Sequence, residues 1–203
     1  MSVDLDLRRT TVLEAAARLY VDEGPHALSM RRVSTAAGGS TQLLYTLFGG
    51  KRGLADALYT EAYDRLARHM DEAGFDDYAA GDPARLYAIC RAYRRFAVTE
   101  TGFFSLMFGR VVTDFRPSLQ ARKAGRAKTF GRVVQTTQEC IDAGTLKADS
   151  ALLLAASCWA ASHGLASLEA NAIIGVDDAM FDGKQADAIA DNLMELILGA
   201  HRP

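Results

Sequence analysis

The stretch Ser29 to Lys51 reads SMRRVSTAAGGSTQLLYTLFGGK. Ser29 stands ahead of Met30-Arg31-Arg32-Val33, where its hydroxyl can cap a short helix that runs to Ala36 with Met30 and Val33 inward. Gly38-Gly39 ends that helix, and Gly38 gives the turn access to a positive φ. Ser40 caps the next short helix, in which Leu44, Tyr45 and Phe48 fall at packing distance. Gly49-Gly50 breaks the chain again, and a long helix is expected from about Lys51 to Glu72.

Both short helices are below the length that is stable alone in water, so they must fold as a packed pair. Ala36 and Ala37 are small enough for a close, steep crossing. Two short helices meeting in this way form a helix-turn-helix, whose second member enters the major groove of DNA. That second helix opens on Ser40, Thr41 and Gln42. Glutamine can pair bidentately with adenine, and threonine can bond a base or touch a thymine methyl. Serine and threonine at helix starts also serve as plain caps, so a generic helical hairpin is the competing reading.

Working outward, helical periodicity dominates and no alternating strand pattern stands out. A first helix is expected over Leu7–Asp22, with Leu13, Ala16, Leu19 and Tyr20 as its apolar stripe and Gly24-Pro25 as its end. The run from Gly74 to Pro83 reads as a connector. Further helices are expected over Pro83–Thr99, Thr101–Arg110, Ser118–Ala143, Asp149–Ala172 and Gln185–Gly199, with Asp149 as a cap. Gly175 to Gly183, carrying Asp177, Asp178 and Asp182, reads as a solvated loop. The fold class is all-α: three short N-terminal helices, then a bundle of longer ones.

The 203 residues, 49% hydrophobic and 24% charged, can build a sizeable core. Only four prolines interrupt the chain, so long helices can run unbroken. A net charge of -2 does not announce a nucleic-acid binder. Residues 1–53, however, hold seven basic against five acidic residues, and the remainder holds sixteen against twenty. The asymmetry is modest and has the right sign for a DNA-facing N-terminus. Cys90, Cys140 and Cys158 are far apart in apolar helical contexts and read as reduced, buried thiols. Met1 to Arg9 is polar and acidic, so no signal peptide is expected.

Enzyme chemistry needs a constellation that is missing here. His26, His69, His163 and His201 lack metal-ligand spacing, and HExxH, GxSxG, phosphate-loop and dinucleotide fingerprints do not occur. The aspartates at 177, 178 and 182 fail the calcium-loop spacing. No catalytic residue, metal or cofactor is expected.

Ala151 to Leu168 lacks Asp, Glu, Lys and Arg and is apolar nearly all the way round. Its alanine content and Ser157, Ser162, His163 and Ser167 argue against a membrane span. A helix of this kind in a small bundle suggests burial on several faces, including a subunit interface. Ile189, Leu193, Leu196 and Ile197 form a second candidate surface, with ordinary core as the competing reading of both. Large apolar side chains crowd the middle of the chain. Ordinary core packing accounts for most of them.

From Arg9 through Leu54 the chain resembles the DNA-binding domain of the TetR family of repressors. The resemblance rests on Leu13-Glu14-Ala15-Ala16, Leu19-Tyr20, Gly24, Leu28-Ser29-Met30, Ala37-Gly38, Ser40, Leu44-Tyr45, Phe48, Lys51 and Leu54. Trp159 with His163-Gly164 resembles a motif in the C-terminal domain of one branch of that family. The resemblance implies a helix-turn-helix domain over 1–53 and a helical effector-binding and dimerisation domain over 54–203. It implies that Ser29 caps its helix and contacts a phosphate, and that Thr41, Gln42, Leu43 and Thr46 read bases. Tyr45 would set its hydroxyl on a phosphate and Lys51 would bind another at a helix N-terminus, while Arg8 and Arg9 could reach the flanking backbone.

With neither a signal peptide nor a membrane span expected, a cytoplasmic location is expected, and the resemblance further implies a homodimer on double-stranded operator DNA, built on the last two long helices. Its two reading helices would sit about one DNA turn apart on a roughly palindromic site. A small-molecule effector with an apolar part would release it. The resemblance implies a cavity for it among the C-terminal helices, with Phe104, Met107, Phe108, Phe130 and Trp159 as lining and His163 as a polar contact. Departures from the family pattern fall at Gly39 (usually valine), Ser34 (usually alanine), Leu47 (often histidine or an aromatic) and Leu43 (more apolar than many readers). An effectorless activator or architectural protein, and an all-α carrier or enzyme, are the alternatives. Ligand-induced release separates the first from the reading above, and salt-dependent, sequence-specific DNA affinity separates the second.

Overall fold

The computed structural model describes residues 2–74, 77–109, 115–170 and 183–203. Among them every regular element is helical. The helices are α1 (Ser2–Glu23), α2 (Met30–Ala36), α3 (Thr41–Phe48), α4 (Lys51–Asp71), α5 (Ala84–Thr99), α6 (Thr101–Phe108), α7 (Leu119–Asp142), α8 (Ala151–Ala170) and α9 (Gly183–Gly199). A 3-10 turn over Pro25–Ala27 joins α1 to α2. The loop expected at Gly175 to Gly183 lies almost wholly outside the described residues, as do Arg110 and Ala172.

Two compact units emerge, one from Met1–Asp64 with Glu100–Gly125, the other from Arg65–Thr99 with Arg126–Pro203. In the first, α1 packs on α2, α3 and α6. Leu13, Ala16 and Tyr20 of the expected stripe are buried, together with Val33, Leu44, Leu54 and Leu58. Gly102 makes the α1–α6 crossing close: a Cβ there would stand 3.0 Å from the Ala17 carbonyl oxygen. Helix α1 starts five residues earlier than the Leu7 expected from the sequence. Asp4 and Arg8 pair at 3.2 Å, and the Thr10 and Thr11 hydroxyls donate to the Asp6 and Leu7 carbonyls, so local polar contacts extend the helix without burial.

In the second unit α5 packs on α8 and α9, and α8 on α9. Phe96, Ile89, Leu154, Cys158 and Leu198 are buried there. The N-cap of α8 is Ser150 rather than Asp149: its hydroxyl accepts from the Leu153 N–H at 3.3 Å, and its carbonyl accepts from Leu154. Both residues are cap formers, so only geometry separates them. Ser118 caps α7 as its sequence suggests, accepting from the Ala121 N–H at 3.1 Å. All three cysteines are free and buried. Burial pushes the Cys90 thiol up to about 11 and the Cys158 thiol up to about 12, so neither is a poised nucleophile.

Candidate nucleic-acid interface

Two capping serines set the helix-turn-helix. Ser29 accepts from the Arg32 N–H at 3.3 Å and Ser40 from the Leu43 N–H at 3.1 Å, each in extended backbone ahead of its helix. Between them Gly38 holds φ at 66°, the left-handed conformation that turns the chain. The two hydroxyls therefore act first as caps.

Helix α3 has two clear sides. Leu44 is fully buried and Phe48 nearly so, anchoring the helix in the head. Gln42, Tyr45 and Thr46 are exposed, and Thr41, Leu43 and Leu47 are half-buried. The Gln42 amide makes no hydrogen bond among the described residues and is free for a partner. Tyr45 is 51% exposed, its ring resting 3.7 Å from where a Cβ on Gly50 would stand. The Thr46 hydroxyl donates back to the Gln42 carbonyl at 3.1 Å, which leaves its methyl as the outward group. Thr41 is tied inward, its hydroxyl 3.3 Å from that of buried Ser34.

Two departures from the family pattern account for each other. A Cβ on Gly39 would stand 3.3 Å from Leu43 Cδ2. The Leu43 side chain lies over the glycine and fills the space a larger turn residue would take. Leu43 is thus part of the corner. The Ser34 departure has a role too, since its hydroxyl donates to the Arg31 carbonyl at 2.8 Å and reaches Thr41 across the α2–α3 contact.

The cations divide between structure and surface. Arg9 donates to the Leu47 carbonyl at 3.2 Å and lies 4.8 Å from the Phe48 ring centroid, so it ties α1 to the end of α3. Arg32 pairs with Glu23 across α1 and α2. Lys51, half-buried, stands 6.0 Å from the Phe115 ring at the start of α4. Arg31 and Arg52 are exposed and make no ion pair among the described residues. Sequence reasoning counts both only as charge; Arg31 lies in the first turn of α2 and Arg52 in the first turn of α4.

The six residues expected around a cavity fall into two groups. Phe104, Met107 and Phe108 lie on α6 in the first unit, with Phe104 and Phe108 ring centroids 5.2 Å apart. Phe130, Trp159 and His163 belong to the second unit. There the Phe130 and Trp159 ring centroids lie 5.8 Å apart and those of Trp159 and His163 5.7 Å apart, both pairs tilted. His163 Nδ1 is 2.8 Å from the Tyr93 hydroxyl, and Nε2 is 3.4 Å from that of Ser167.

Burial lowers the His163 pKa below its usual 6.5, so the ring is neutral near pH 7. With Tyr93 donating to Nδ1, the ring proton sits on Nε2, facing the Ser167 hydroxyl. Burial holds the Tyr93 phenol well above its ordinary range, which keeps its proton available.

Along the other side of α5 a ladder runs to α9. Tyr87 donates to Glu195 at 2.6 Å, Arg91 to Asp191 at 2.8 Å, and Arg94 to Asp187. Arg94 also grips Glu169 of α8 with two bonds of 2.6 and 2.7 Å. No group of three His, Cys, Asp or Glu side chains that could hold a metal ion occurs among the described residues.

A capped two-helix corner that presents polar side chains from its second helix, followed by a larger helical body, defines a helix-turn-helix regulator class. Residues 12–58 match the family model described as bacterial regulatory proteins, tetR family, and residues 86–197 match that for the tetracyclin repressor-like C-terminal domain. The chain belongs to the TetR family, whose members are DNA-binding transcriptional regulators with a helical C-terminal domain.

Among relatives, it is similar to the HTH-type transcriptional regulators Rv1816 of Mycobacterium tuberculosis and Mb1846 of Mycobacterium bovis. It is 29% identical to each over 138 residues, 68% of this chain and 57% of theirs. Among solved structures, a protein from Rhodococcus sp. RHA1 shares the fold with a TM-score of 0.76 and 24% identity over 97% of this chain and 96% of that one. The regulator PfmR of Thermus thermophilus does so with a TM-score of 0.70 and 21% identity over 93% and 97%.

Proposed function

We propose that this protein is a transcriptional repressor that binds a roughly palindromic operator as a homodimer and is released by a small-molecule effector. The observation that carries the reading is α3 itself, anchored by Leu44 and Phe48 while Gln42, Tyr45 and Thr46 stand in solvent. Residues 1–53 act as the reading head and residues 54–203 as the effector-binding and dimerisation part. Gln42, Thr46 and Leu43 read base edges, with Thr41 at the margin of that surface. Tyr45, Lys51 and the N-termini capped by Ser29 and Ser40 hold phosphates, and the free guanidiniums of Arg31 and Arg52 join them.

The dimer reading is supported by apolar surface left exposed among the described residues. Leu152, Leu153 and Leu168 on α8 and Leu196 on α9 are exposed, with Leu153 at 69% and Leu196 at 64%. Helix α8 is long and apolar enough to cross a membrane by length and composition, with a third of the tested window buried. A second copy pairing through α8 and α9 would cover its outer leucines. The effector is assigned to the aromatic groups at Phe104, Met107 and Phe108 and at Phe130, Trp159 and His163, the last group matching the Trp and His-Gly motif of one branch. A cytoplasmic location follows from the operator reading.

Selection of the purified protein on a genomic DNA library, followed by a salt titration on the best site, tests this. The expected result is a near-palindrome whose affinity falls steeply with salt and drops in Tyr45→Ala. Weak, sequence-independent binding would overturn it.

A further inference from the structure

One face of α5 carries Ala84, Ala88, Arg91 and Arg95 in successive turns, at i, i+4, i+7 and i+11. A cleft of about 540 Å³ is lined by all four and lies within the second unit. Pro83 and the two alanines give it a flat strip of small apolar side chains, and Tyr78, 40% exposed, lines it as well. Three guanidiniums border the cleft, and two are committed. Arg91 is held by Asp191 at 2.8 Å and Arg202 by Glu195 at 2.9 Å. Arg95 is exposed, and its guanidinium makes no hydrogen bond or ion pair among the described residues. The single carboxylate in the lining, Asp82, is taken up at the start of α5, where it accepts from the Ala84 N–H at 2.8 Å. A neighbouring cleft shares Arg91 and Arg95 but also presents Asp187 and Asp191, which disfavours an anion there.

Long side chains on a helix lean toward its N-terminus, so Arg95 reaches back along the strip. Ala88 and Arg95 stand about 10 Å apart along the axis. A guanidinium fork takes a carboxylate through two charge-assisted bonds. We propose that this cleft is a binding site for a small aromatic carboxylic acid, its ring on Ala84 and Ala88 beside Tyr78 and its carboxylate on Arg95. The volume lies within the ~300–1,000 Å³ of small-molecule sites, and the span along α5 suits one ring with a short acid arm. None of the aromatic residues assigned to the effector lines it. Tyr87 and Arg91, which do, bond Glu195 and Asp191 of α9, so the occupant lies against the outer rungs of the α5–α9 ladder.

The test is calorimetric titration of the DNA-free full chain with phenylacetate, alongside phenylacetamide, its uncharged isostere. The expected result is one phenylacetate per chain, with the amide weaker by about tenfold or more because charge-assisted bonds are lost. Arg95→Ala, at an exposed position, loses a similar factor for phenylacetate without a change in melting temperature. Tyr78→Ala, also exposed, weakens both probes alike, since it removes a ring contact and no charge. Equal binding of the two probes, undiminished phenylacetate binding in either variant, or no binding at all would each overturn the assignment. DNA is absent and no residue of the reading head is altered, so none of these outcomes depends on the repressor reading.

Discussion

Helices α3 and α8 use hydrophobicity in opposite ways. In α3 the eight residues sort cleanly, with Leu44 and Phe48 buried and Gln42, Tyr45 and Thr46 outside. In α8 the run from Ala151 to Leu168 is apolar nearly all the way round, yet the structure buries Leu154, Ala155, Cys158, Leu165 and Ala166 and leaves Leu152, Leu153 and Leu168 out. A helix with one apolar stripe states its orientation, because only one face gains by leaving water. A helix that is apolar all round has a second apolar face to satisfy after its own chain has covered the first. In α3 the exposed side is built for a polar partner; in α8 it is built for an apolar one.

Charging the outer face of α8 and α9 is expected to have the largest effect on function. Leu153→Arg with Leu196→Arg should convert the dimer to monomer in sedimentation and lower operator affinity by about a hundredfold or more, since two linked half-site contacts become one. A dimer that persists would move the subunit interface away from these leucines. Next comes the buried side of α3. Leu44→Ala should cost about 2–5 kcal/mol in denaturant unfolding, since this fully buried side chain leaves a cavity in the head.

The α5 ladder gives a contrast inside the second unit. Arg94→Ala leaves the Glu169 carboxylate, 8% exposed, without its bidentate partner and should cost about 3 kcal/mol. Arg91→Ala removes a pair in which both side chains are about half exposed and should change stability by at most about 0.5 kcal/mol. Equal losses would mean that burial does not separate the two rungs.

The smallest expected effect is a pH dependence. The native His163 pKa lies below 6.5 because the ring is partly buried. As pH falls through 6.5 the unfolded chain takes up a proton that the native imidazole refuses, so stability declines as the pH drops toward the native pKa. His163→Gln should flatten that part of the stability profile; an unchanged slope would place its origin elsewhere.

Much of the head is legible in the sequence because its signals are local. Serines at 29 and 40, glycine at 38 and the spacing of Leu44 and Phe48 each act within a few residues, and the structure uses them as caps, turn and anchor. Competition between neighbours is harder to read, as with Ser150 displacing Asp149 at the start of α8. Gly39 and Leu43 look like two independent departures until their contact shows that one fills the space the other leaves. The aromatic residues are least legible. Phe104, Met107, Phe108, Phe130, Trp159 and His163 share a composition, but composition does not say which of them meet, and they divide between two units.

The central claim is that the outward side of α3 reads bases in two symmetric half-sites. Repeating the genomic DNA selection with Gln42→Ala tests it most directly. The account predicts that base preference disappears at one position in each half-site, with a loss of about 1–3 kcal/mol against the best operator, and stays intact elsewhere. An unchanged motif, or a loss of affinity spread evenly over all sequences, would contradict it.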